Sequence, residues 1–230
     1  NNVAQKDLHV GVVPVENSLS GSIHENFDLL QKHDLKIIGE VFIRIKQALI
    51  AHKDASKEAI IKVMGPPPAL SQCRDYLGRN THMEAVPVTA TSSAVKMVKE
   101  SGEVSSAAIA STMAARVFDM KILEESIEDN PRNYTRFVII AREYKGNKKV
   151  GKSSIIFTTG NKPGALFEIM KVFSQYGVNL VKLESRPIHG KPWEYMFYTD
   201  LEADIESPDL SPMLEKLRQG SEMFRILGRY

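Results

Sequence analysis

Several features typical of extracellular, membrane or nucleic-acid-binding proteins are missing from this sequence. Cys73 is its single cysteine, so no disulfide can form within the chain. No apolar run approaches the ~18 residues that are needed to span a bilayer. Lysine and arginine total 30 against 28 aspartate and glutamate residues. The net charge of +2 therefore gives no reason to expect nucleic acid or an anionic membrane as a partner.

Patterns for binding metals and phosphates are missing as well. The six histidines include no i, i+4 pair, and Cys73 has no second cysteine with which to hold a metal. Neither G-x-G-x-x-G nor G-x-x-x-x-G-K-[ST] occurs. We therefore expect no metal site, and we expect Cys73 to be a buried structural residue.

The first residues of the chain, "NNVAQK", contain no apolar core of the kind that a secretion signal needs. We therefore expect a cytoplasmic protein. Asn133-Tyr134-Thr135 has the pattern of an N-glycosylation site, but without export that interpretation loses its precondition. The chain also lacks an initiating Met and enters an apolar strand almost at once, which we interpret as a fragment whose front has been removed.

The composition, 43% hydrophobic and 25% charged, is able to fill the core of one or two domains. Through residue 142, apolar runs alternate with helical patterns, which predicts an α/β domain with a largely parallel sheet. The predicted strands are 8–13, 35–45, 61–64, 83–88, 107–110 and 137–141. The predicted helices are 24–33, 67–77, 89–101 and 111–118, the first with a capping box of Ser22 and Glu25.

A polar, basic, glycine-bearing stretch at 143–153 is the predicted linker, and after it the pattern changes. Residues 154–230 read as strand, helix, two strands around residues 189–191, helix and strand. This β-α-β-β-α-β order predicts a ferredoxin-like unit. Its first helix places Leu166, Ile169, Met170 and Phe173 on one face. Such a unit leaves a sheet face or edge to be covered, and two copies often pair to cover it.

The segment "VVPVENSLSG", residues 12–21, is the first candidate for binding. Its apolar strand is predicted to end at Pro14 and to deliver Glu16, Asn17 and Ser18 at its carboxyl end. Ligand crevices of open α/β sheets lie at that end. The alternative is an ordinary turn, because Asn and Ser favour turns.

The segment "NYTRF", residues 133–137, is the second candidate. Thr135 offers a hydroxyl that can donate and accept, and Arg136 offers a fork suited to carboxylates. The alternative is that Asn133 satisfies loop backbone and that Arg136 is simply exposed.

Two further segments lie in the second half. "NKPGALFE" places a glycine-bearing loop at a helix start, where free backbone N–H groups attract a carboxylate. "LESRP" places Glu184, Ser185 and Arg186 near the end of a strand. The alternative for the second segment is a β-bulge with a solvated ion pair.

In their order and spacing these segments resemble the prephenate dehydratase family nearly end to end. "GVVPVENSLSGSIHENFDLL" resembles the family's segment around Glu-Asn-Ser, and "AAIASTMAARVFDMKILEESIEDNPRNYTRF" the segment that closes on Thr-Arg-Phe. "KPGALFEIMKVFSQYGVNLVKLESRPIHGKPWEYMFYTDLE" resembles the family's regulatory ACT domain, with its Gly-Ala-Leu and Glu-Ser-Arg-Pro motifs. The resemblance implies a two-lobed, periplasmic-binding-protein-like dehydratase region, with substrate in its cleft, over 1–142 and an ACT domain over 154–230.

The resemblance also implies the reaction, in which prephenate becomes phenylpyruvate and loses water and CO2. Thr135 would donate to the leaving hydroxide, Arg136 and Asn17 would position the substrate, and Ser18 would line the pocket. The remaining substrate-binding residues that it implies are Glu16, Gln72, Asn133 and Phe137. No metal or organic cofactor is implied.

The ACT domain of this family resembles a sensor for L-phenylalanine, bound between two paired domains. The implied effector residues are Gly164, Ala165 and Leu166, with Glu184, Ser185 and Arg186 on the facing strand and Asn179 and Leu180 nearby. The resemblance therefore implies a homodimer or a dimer of dimers.

Three departures from the family pattern are present. The family's amino-terminal segment with its Gly-Thr-Phe-Ser loop is absent, Pro66 and Pro68 replace a His and a Gln, and Asn26 replaces a Thr. An alternative is therefore a regulatory protein that senses phenylalanine without turnover. A solute-binding protein is a further alternative, but it would need an export signal.

Overall fold

The computed structural model describes residues 3, 9–143, 150–188 and 190–230. Contacts divide them into two compact units. The first unit runs up to Phe42 and resumes at Arg136, and the second is Ile43–Thr135. Among the residues described, no helix has the length and apolar character to cross a membrane.

The helices and strands follow one another in an order typical of α/β proteins. The chain begins with β1 (Val10–Asn17), β2 (Gly21–Ser22), α1 (His24–Lys32) and β3 (Lys36–Arg44). Next come β4 (Ala48–Ala51), β5 (Lys62–Gly65), α2 (Pro67–Ser71), α3 (Arg74–Arg79), β6 (Glu84–Pro87), α4 (Thr91–Ser101), β7 (Ser106–Ala110), α5 (Thr112–Phe118) and β8 (Lys121–Glu125). The last elements are β9 (Tyr134–Ala141), β10 (Ser153–Thr158), α6 (Ala165–Gln175), β11 (Leu180–Pro187), β12 (Tyr195–Leu201), α7 (Ser211–Gly220) and β13 (Met223–Arg229).

The second unit is built on a five-stranded sheet of order β6-β5-β7-β4-β8. Strand β5 runs parallel to β6 and β7, whereas β4 is antiparallel to β7 and β8. The predicted parallel strands are therefore confirmed, but "largely parallel" is wrong for half of this sheet. Strands β4 and β8 were not predicted, because β4 follows the predicted strand 35–45 without a turn signal and β8 carries three charged side chains.

The predicted helix 67–77 is two helices. Helix α2 begins after Pro66, which has an extended backbone, and Pro67 occupies its first turn, where the missing N–H costs nothing. The helix ends at Ser71, and the carbonyl of Gln72 accepts a hydrogen bond from the Asp129 backbone N–H at 2.7 Å. That bond directs the chain out of the helical ladder before α3 begins.

The first unit contains an eight-stranded sheet of order β11-β12-β10-β13-β3-β9-β1-β2. The part formed by β10, α6, β11, β12, α7 and β13 confirms the predicted ferredoxin-like order. Helices α6 and α7 cover one face of its strands through Phe157, Ile169 and Phe173. Helix α1 covers the other face, where the Tyr198 ring lies 4.9 Å from that of Phe27.

Strands β13 and β3 join the two halves of this sheet through one parallel bridge, Gly228 to Ile37. A Cβ atom on Gly228 would overlap the carbonyl oxygen of Ile37. Only glycine therefore permits this approach of the two strands.

Two local predictions near the amino end are wrong. Strand β1 continues through Pro14 to Asn17, because β2 pairs only with Glu16 and Asn17 and leaves that side of Pro14 open. Ser22 and Glu25 form no capping box, since the N-cap of α1 is Ile23 and makes no side-chain bond. The Ser22 hydroxyl instead donates to Glu184 at 2.8 Å.

The domain boundaries 1–142, 143–153 and 154–230 differ from the division into compact units. The ferredoxin-like part and the first strands of the chain share one sheet and one unit. Residues 144–149 of the predicted linker and residue 189 of the predicted turn lie outside the described residues.

Candidate functional site

The Glu-Asn-Ser segment forms the end of β1 and the turn after it. The Asn17 side-chain oxygen accepts hydrogen bonds from the backbone N–H groups of Leu19 and Ser20, both at 3.0 Å, and from the Ser20 hydroxyl at 2.9 Å. Asn17 is buried and Ser18 is exposed. The turn interpretation is confirmed, since Asn17 shapes a turn at the end of a strand, and the site interpretation stays a prediction.

Glu16 points toward the ferredoxin-like part of the same unit. Its carboxylate lies 3.1 Å from Lys182 Nζ on β11 and 4.0 Å from Arg136 Nη1. The side chain keeps about a third of its surface exposed. Glu16 is therefore already engaged by a cation of the ferredoxin-like part.

Arg136 lies on β9 and is 7% exposed, so the alternative that it is a simple surface residue is excluded. Its Nε donates to Glu40 at 2.7 Å, its Nη1 to Asp200, and its Nη2 to the Tyr230 hydroxyl at 2.9 Å. Burial lowers the pKa of the guanidinium, but Asp200, Tyr230 and Glu40 outweigh that effect and the pKa is raised. Arg136 stays charged at every accessible pH.

Asn133 and Thr135 belong to the second unit and precede Arg136 in the chain. Asn133 is fully buried, and its backbone carbonyl accepts the Ile45 N–H at 2.8 Å. Thr135 is 8% exposed on β9, and the next side chain but one, Phe137, is half-buried. Along a strand Thr135 and Phe137 share one face and Arg136 points to the other.

Gln72 also belongs to the second unit. Its side-chain oxygen accepts a hydrogen bond from Gln47 Nε2 at 3.1 Å, and the Gln47 backbone N–H donates to the buried carboxylate of Glu128 at 2.9 Å. Gln72 is half-buried at the end of α2. Gln72 is therefore part of a polar network. Pro66 and Pro68, at the other end of the same helix, have no side-chain donors with which to join it.

Cys73 follows Gln72 and is completely buried. Burial, with smaller effects of Asp129 and Glu128, raises the pKa of its thiol to about 12. The structural role predicted for this cysteine is confirmed. Over the residues that the structure describes, no group of three or more His, Cys, Asp and Glu side chains could hold a metal ion.

The predicted effector residues Gly164, Ala165 and Leu166 form the start of α6. Gly164 is the N-cap residue with φ of +82°, a left-handed conformation that glycine adopts without strain. A pocket of about 140 Å3 lies beside it. The pocket is lined by Ala165, Leu166, Asn161, Trp193, Tyr195 and Phe197, among others.

The Glu-Ser-Arg-Pro motif is divided between the two faces of β11. Ser185 pairs with Phe197 and Pro187 with Tyr195, so these two residues share the face of the 140 Å3 pocket. Glu184 and Arg186 point to the opposite face, toward α1. The Glu184 carboxylate accepts the Ser22 hydroxyl, and Arg186 Nη2 donates to Asp28 at 2.9 Å. The Ser22–Glu184 contact is part-buried, whereas the Arg186–Asp28 pair is exposed, as in the solvated ion pair considered from sequence.

Arg186 also lines a groove of about 820 Å3 beside α1, together with Asp28, Trp193 and Met196. Asn179 is exposed at the start of β11, where its side-chain amide donates to Glu202 at 2.6 Å. Leu180, the next residue, is half-buried against α6. The eight predicted effector residues therefore do not converge on one pocket within a single chain.

Four residues around Arg136 were not identified from the sequence, namely Glu40, Lys152, Asp200 and Tyr230. Glu40 and Asp200 stand inside the apolar strands "KIIGEVFIR" and "YMFYTDL". A carboxylate within an apolar strand is seldom buried unless it is paired. That signal was present, although it could not name the partner.

The comparisons with known proteins agree with the resemblance. A family model described as prephenate dehydratase matches residues 1–145, and one described as ACT domain matches residues 153–219. A bifunctional chorismate mutase/prephenate dehydratase from Pseudomonas aeruginosa is 37% identical over 229 residues, which cover 99% of this chain and 62% of that protein. The chain thus spans less than two thirds of the length of such relatives.

Two solved structures have the same fold as the whole chain. Prephenate dehydratase from Arthrobacter aurescens in complex with L-Phe gives a TM-score of 0.90 at 28% identity and covers 100% of this chain and 77% of that one. GqqA, described as a novel type of quorum quenching acylase, also gives 0.90, at 30% identity, and covers 100% and 84%. Because the dehydratase model alone matches more than half of the 230 residues, the chain belongs to the prephenate dehydratase family and carries an ACT domain behind its dehydratase segment.

Proposed function

We propose that this chain catalyses the decarboxylating dehydration of prephenate to phenylpyruvate, and that L-phenylalanine inhibits it through the ACT domain. The observation that carries the proposal is the presence, in one chain, of both family segments with the Glu-Asn-Ser and Thr-Arg-Phe motifs intact. The proposal concerns the whole protein, because this chain spans only 62% of the length of the Pseudomonas aeruginosa relative.

The protein has little covalent chemistry to perform in this reaction. The ring carboxylate leaves as CO2, its bonding electrons enter the ring, and hydroxide departs from the opposite ring carbon as the ring becomes aromatic. Aromatisation drives the reaction, so the enzyme must hold two carboxylates and stabilise the leaving oxygen. A hydroxyl that donates a hydrogen bond to that oxygen is worth about 10²–10³ in rate in comparable sites.

Thr135 is the residue to which we assign this donor. Its burial at the start of β9 supports the assignment, because hydrogen bonds are stronger where water is excluded. We assign Asn17, Ser18 and Glu16 to the substrate side of β1 and its turn, and the Asn17 hydrogen bonds support a fixed shape for that turn. Asn133, Gln72 and Phe137 complete the proposed substrate contacts.

The 140 Å3 pocket at the start of α6 is the proposed binding place for L-phenylalanine. Leu166, Tyr195 and Phe197 offer an apolar lining for a phenyl ring, and the pocket lies at a helix start, where backbone N–H groups attract a carboxylate. Ser185 lies on the same face of the sheet through its pairing with Phe197.

A second copy of the chain is the proposed partner. Strand β11 is an edge strand of the eight-stranded sheet, and Val181 and Leu183 on it are 44% and 45% exposed. An unprotected apolar edge is a place where an identical strand pairs readily. We therefore propose a homodimer, or a dimer of dimers, through the ACT domains, with both chains contributing to the effector site.

The test is product analysis with prephenate as substrate. Phenylpyruvate and CO2 should form in equal amounts, at a rate well above the enzyme-free decay that aromatisation also drives. The 230-residue chain is assayed alone and with the amino-terminal segment of the Pseudomonas aeruginosa relative joined in front of it. If neither form makes phenylpyruvate while L-phenylalanine still binds, the chain is a sensor without turnover and the proposed activity is wrong.

A further inference from the structure

The guanidinium of Arg136 is the centre of a buried cluster that joins the dehydratase segment to the ACT segment. Glu40 comes from β3, Asp200 from β12, and Tyr230 from the last residue of the chain. We propose that Arg136 is a positioning residue, clamped by Asp200 and Tyr230 of the ACT segment, and that it does not bind a carboxylate of the substrate. The inference rests on the proposed function and revises the role that the motif alone suggests for Arg136.

The geometry leaves little of the Arg136 fork for a ligand. Its Nε, Nη1 and Nη2 each donate to a protein oxygen, and the side chain is 8% exposed. Bidentate binding of a substrate carboxylate requires two adjacent donors on one side of the fork. Here each side already serves a carboxylate or a phenol of the chain itself.

Carboxylates fully match the cations of the cluster. Three cations, Arg136, Lys152 and Lys182, face the carboxylates of Glu16, Glu40 and Asp200, and Glu184 lies 3.9 Å from Lys182 as well. Lys152 Nζ lies 2.6 Å from Glu40. A group with no excess positive charge does not attract a substrate that carries two carboxylates. Adding one of those carboxylates would leave an uncompensated anion, which is costly to bury.

The clamp is itself held in place. The Ser154 hydroxyl donates to the second oxygen of Asp200 at 2.5 Å and lies 2.8 Å from the Tyr230 hydroxyl. Both oxygens of Asp200 are therefore engaged. Burial, followed by the charge of Asp200, raises the pKa of the Tyr230 phenol, so that it stays protonated within the cluster.

The clamp acts on the strand that carries Thr135. Arg136 follows Thr135 directly on β9, and its side chain leaves the strand on the opposite face. Fixing Arg136 therefore fixes the backbone from which the Thr135 hydroxyl projects. A displacement of about 1 Å at a reacting group can reduce turnover about a hundredfold.

The experiment is a double-mutant cycle with kcat and KM for prephenate measured separately. The variants are Arg136→Lys, Asp200→Asn and the pair together, in whichever form of the chain turns over. Lysine keeps the charge but cannot reproduce the fork. Each single variant should lower kcat by about tenfold to a hundredfold with KM within about threefold, and the pair should be no worse than either alone.

Asp204→Asn is the matched control. Asp204 is an ACT-segment aspartate that also pairs with an arginine, Arg229, but it does not contact Arg136. This variant should leave both kcat and KM unchanged. Tyr230→Phe, a milder change that keeps the ring, should lower kcat by a few-fold and keeps the test open if Asp200→Asn fails to fold.

The opposite pattern would overturn the proposal. If Arg136→Lys raises KM tenfold or more while Asp200→Asn leaves it unchanged, Arg136 binds the substrate. Effects that add in the double variant would equally exclude the clamp. If the unmodified chain makes no phenylpyruvate, the proposed function fails, and the cycle is then measured as free energies of unfolding in urea. A coupling energy between Arg136 and Asp200, with none between Arg136 and Asp204, supports the clamp. The absence of coupling between Arg136 and Asp200 refutes it.

Discussion

Thr135 is the residue on which the proposed chemistry most depends. Thr135→Ala removes the hydroxyl that would stabilise the departing hydroxide and should lower kcat by about 10²–10³-fold. The temperature of unfolding should change little, because a small side chain is replaced at the start of a strand. Steady-state kinetics and thermal unfolding measure the two effects.

Thr135→Ser is the matched variant, since it keeps the hydroxyl and loses only a methyl group. It should retain kcat within about tenfold. Equal losses in the alanine and serine variants would remove the hydroxyl from the mechanism and assign the effect to packing.

Asp204 provides a prediction for pH dependence. Its carboxylate accepts hydrogen bonds from Arg229 at 2.6 and 2.5 Å. These bonds are the main reason why the pKa of Asp204 lies below its ordinary value of 3.8. A depressed folded-state pKa contributes stability above the unfolded-state pKa, and that stability is lost as the pH falls through the folded value.

Urea unfolding of the unmodified chain and of Asp204→Asn checks this sign. The variant should be less stable at pH 7 by roughly 1 kcal/mol or less, because the pair is partly exposed. The difference should shrink below about pH 4. A difference that stays constant from pH 7 to pH 3 would contradict the assignment.

At this scale the sequence identified motif residues but not their partners. The burial of Arg136 depends on residues 64, 94 and 96 positions away, and no local pattern specifies such pairs. The kind of group that Arg136 binds could nevertheless be predicted from the sequence. A fork for carboxylates was predicted for Arg136, and carboxylates of the chain are what it binds.

Strand β11 shows how one element can serve two surfaces. Lys182, Glu184 and Arg186 contact Glu16, Ser22 and Asp28, whereas Ser185 and Pro187 lie on the face of the proposed effector pocket. Side chains alternate along a strand, so adjacent motif residues cannot all bind one ligand. Any shift of β11 on effector binding would reach the end of β1 through these ion pairs.

Gly228 tests the junction between β13 and β3. Gly228→Ala places a Cβ atom against the Ile37 carbonyl and should cost about 1–3 kcal/mol or more in the free energy of unfolding, because backbone cannot yield as a side chain can. Denaturant unfolding measures this loss.

Gly78→Ala is the control for that substitution. Gly78 lies in α3 with nothing within 4 Å of an added Cβ, so alanine there should stabilise by roughly 0.5–1 kcal/mol. If Gly228→Ala and Gly78→Ala change the free energy of unfolding equally, the close approach of β13 to β3 does not explain why glycine is needed at position 228.

Elements were predicted best where their periodicity was long. The ferredoxin-like order, with its two helices, follows from clear apolar periods, whereas strands β5 and β7 were predicted as short apolar runs between helices. The capping box at Ser22 failed because its hydroxyl is used by Glu184, 162 residues away. Strand β4 was missed because it begins only three residues after Ile45, the end of the predicted strand 35–45, and no turn signal separates the two.

The whole molecule combines its segments differently from their order along the chain. The first strands and the ACT segment build one sheet, while Ile43–Thr135 builds another unit. Sequence patterns show where the periodicity of apolar residues changes along the chain, which is at the predicted linker. They do not report which sheet edges meet, because that depends on contacts such as Gly228 with Ile37.

Pairing of two chains through β11 gives a prediction at this scale. Leu183→Arg adds a charge to the exposed edge and should convert a dimer to monomers and weaken the response to L-phenylalanine. Val117→Arg, at an exposed position on α5 of the other unit, should leave assembly unchanged. Sedimentation velocity distinguishes the two, and a dimer that survives Leu183→Arg would move the interface elsewhere.

The most direct test of the account is the initial rate of phenylpyruvate formation from prephenate, measured with increasing L-phenylalanine. We expect turnover in the absence of the effector and a progressive loss of rate as it is added, since one chain carries both a dehydratase segment and an ACT domain. Turnover that ignores L-phenylalanine would contradict the regulatory half of the account. Binding of L-phenylalanine without any turnover would contradict the catalytic half.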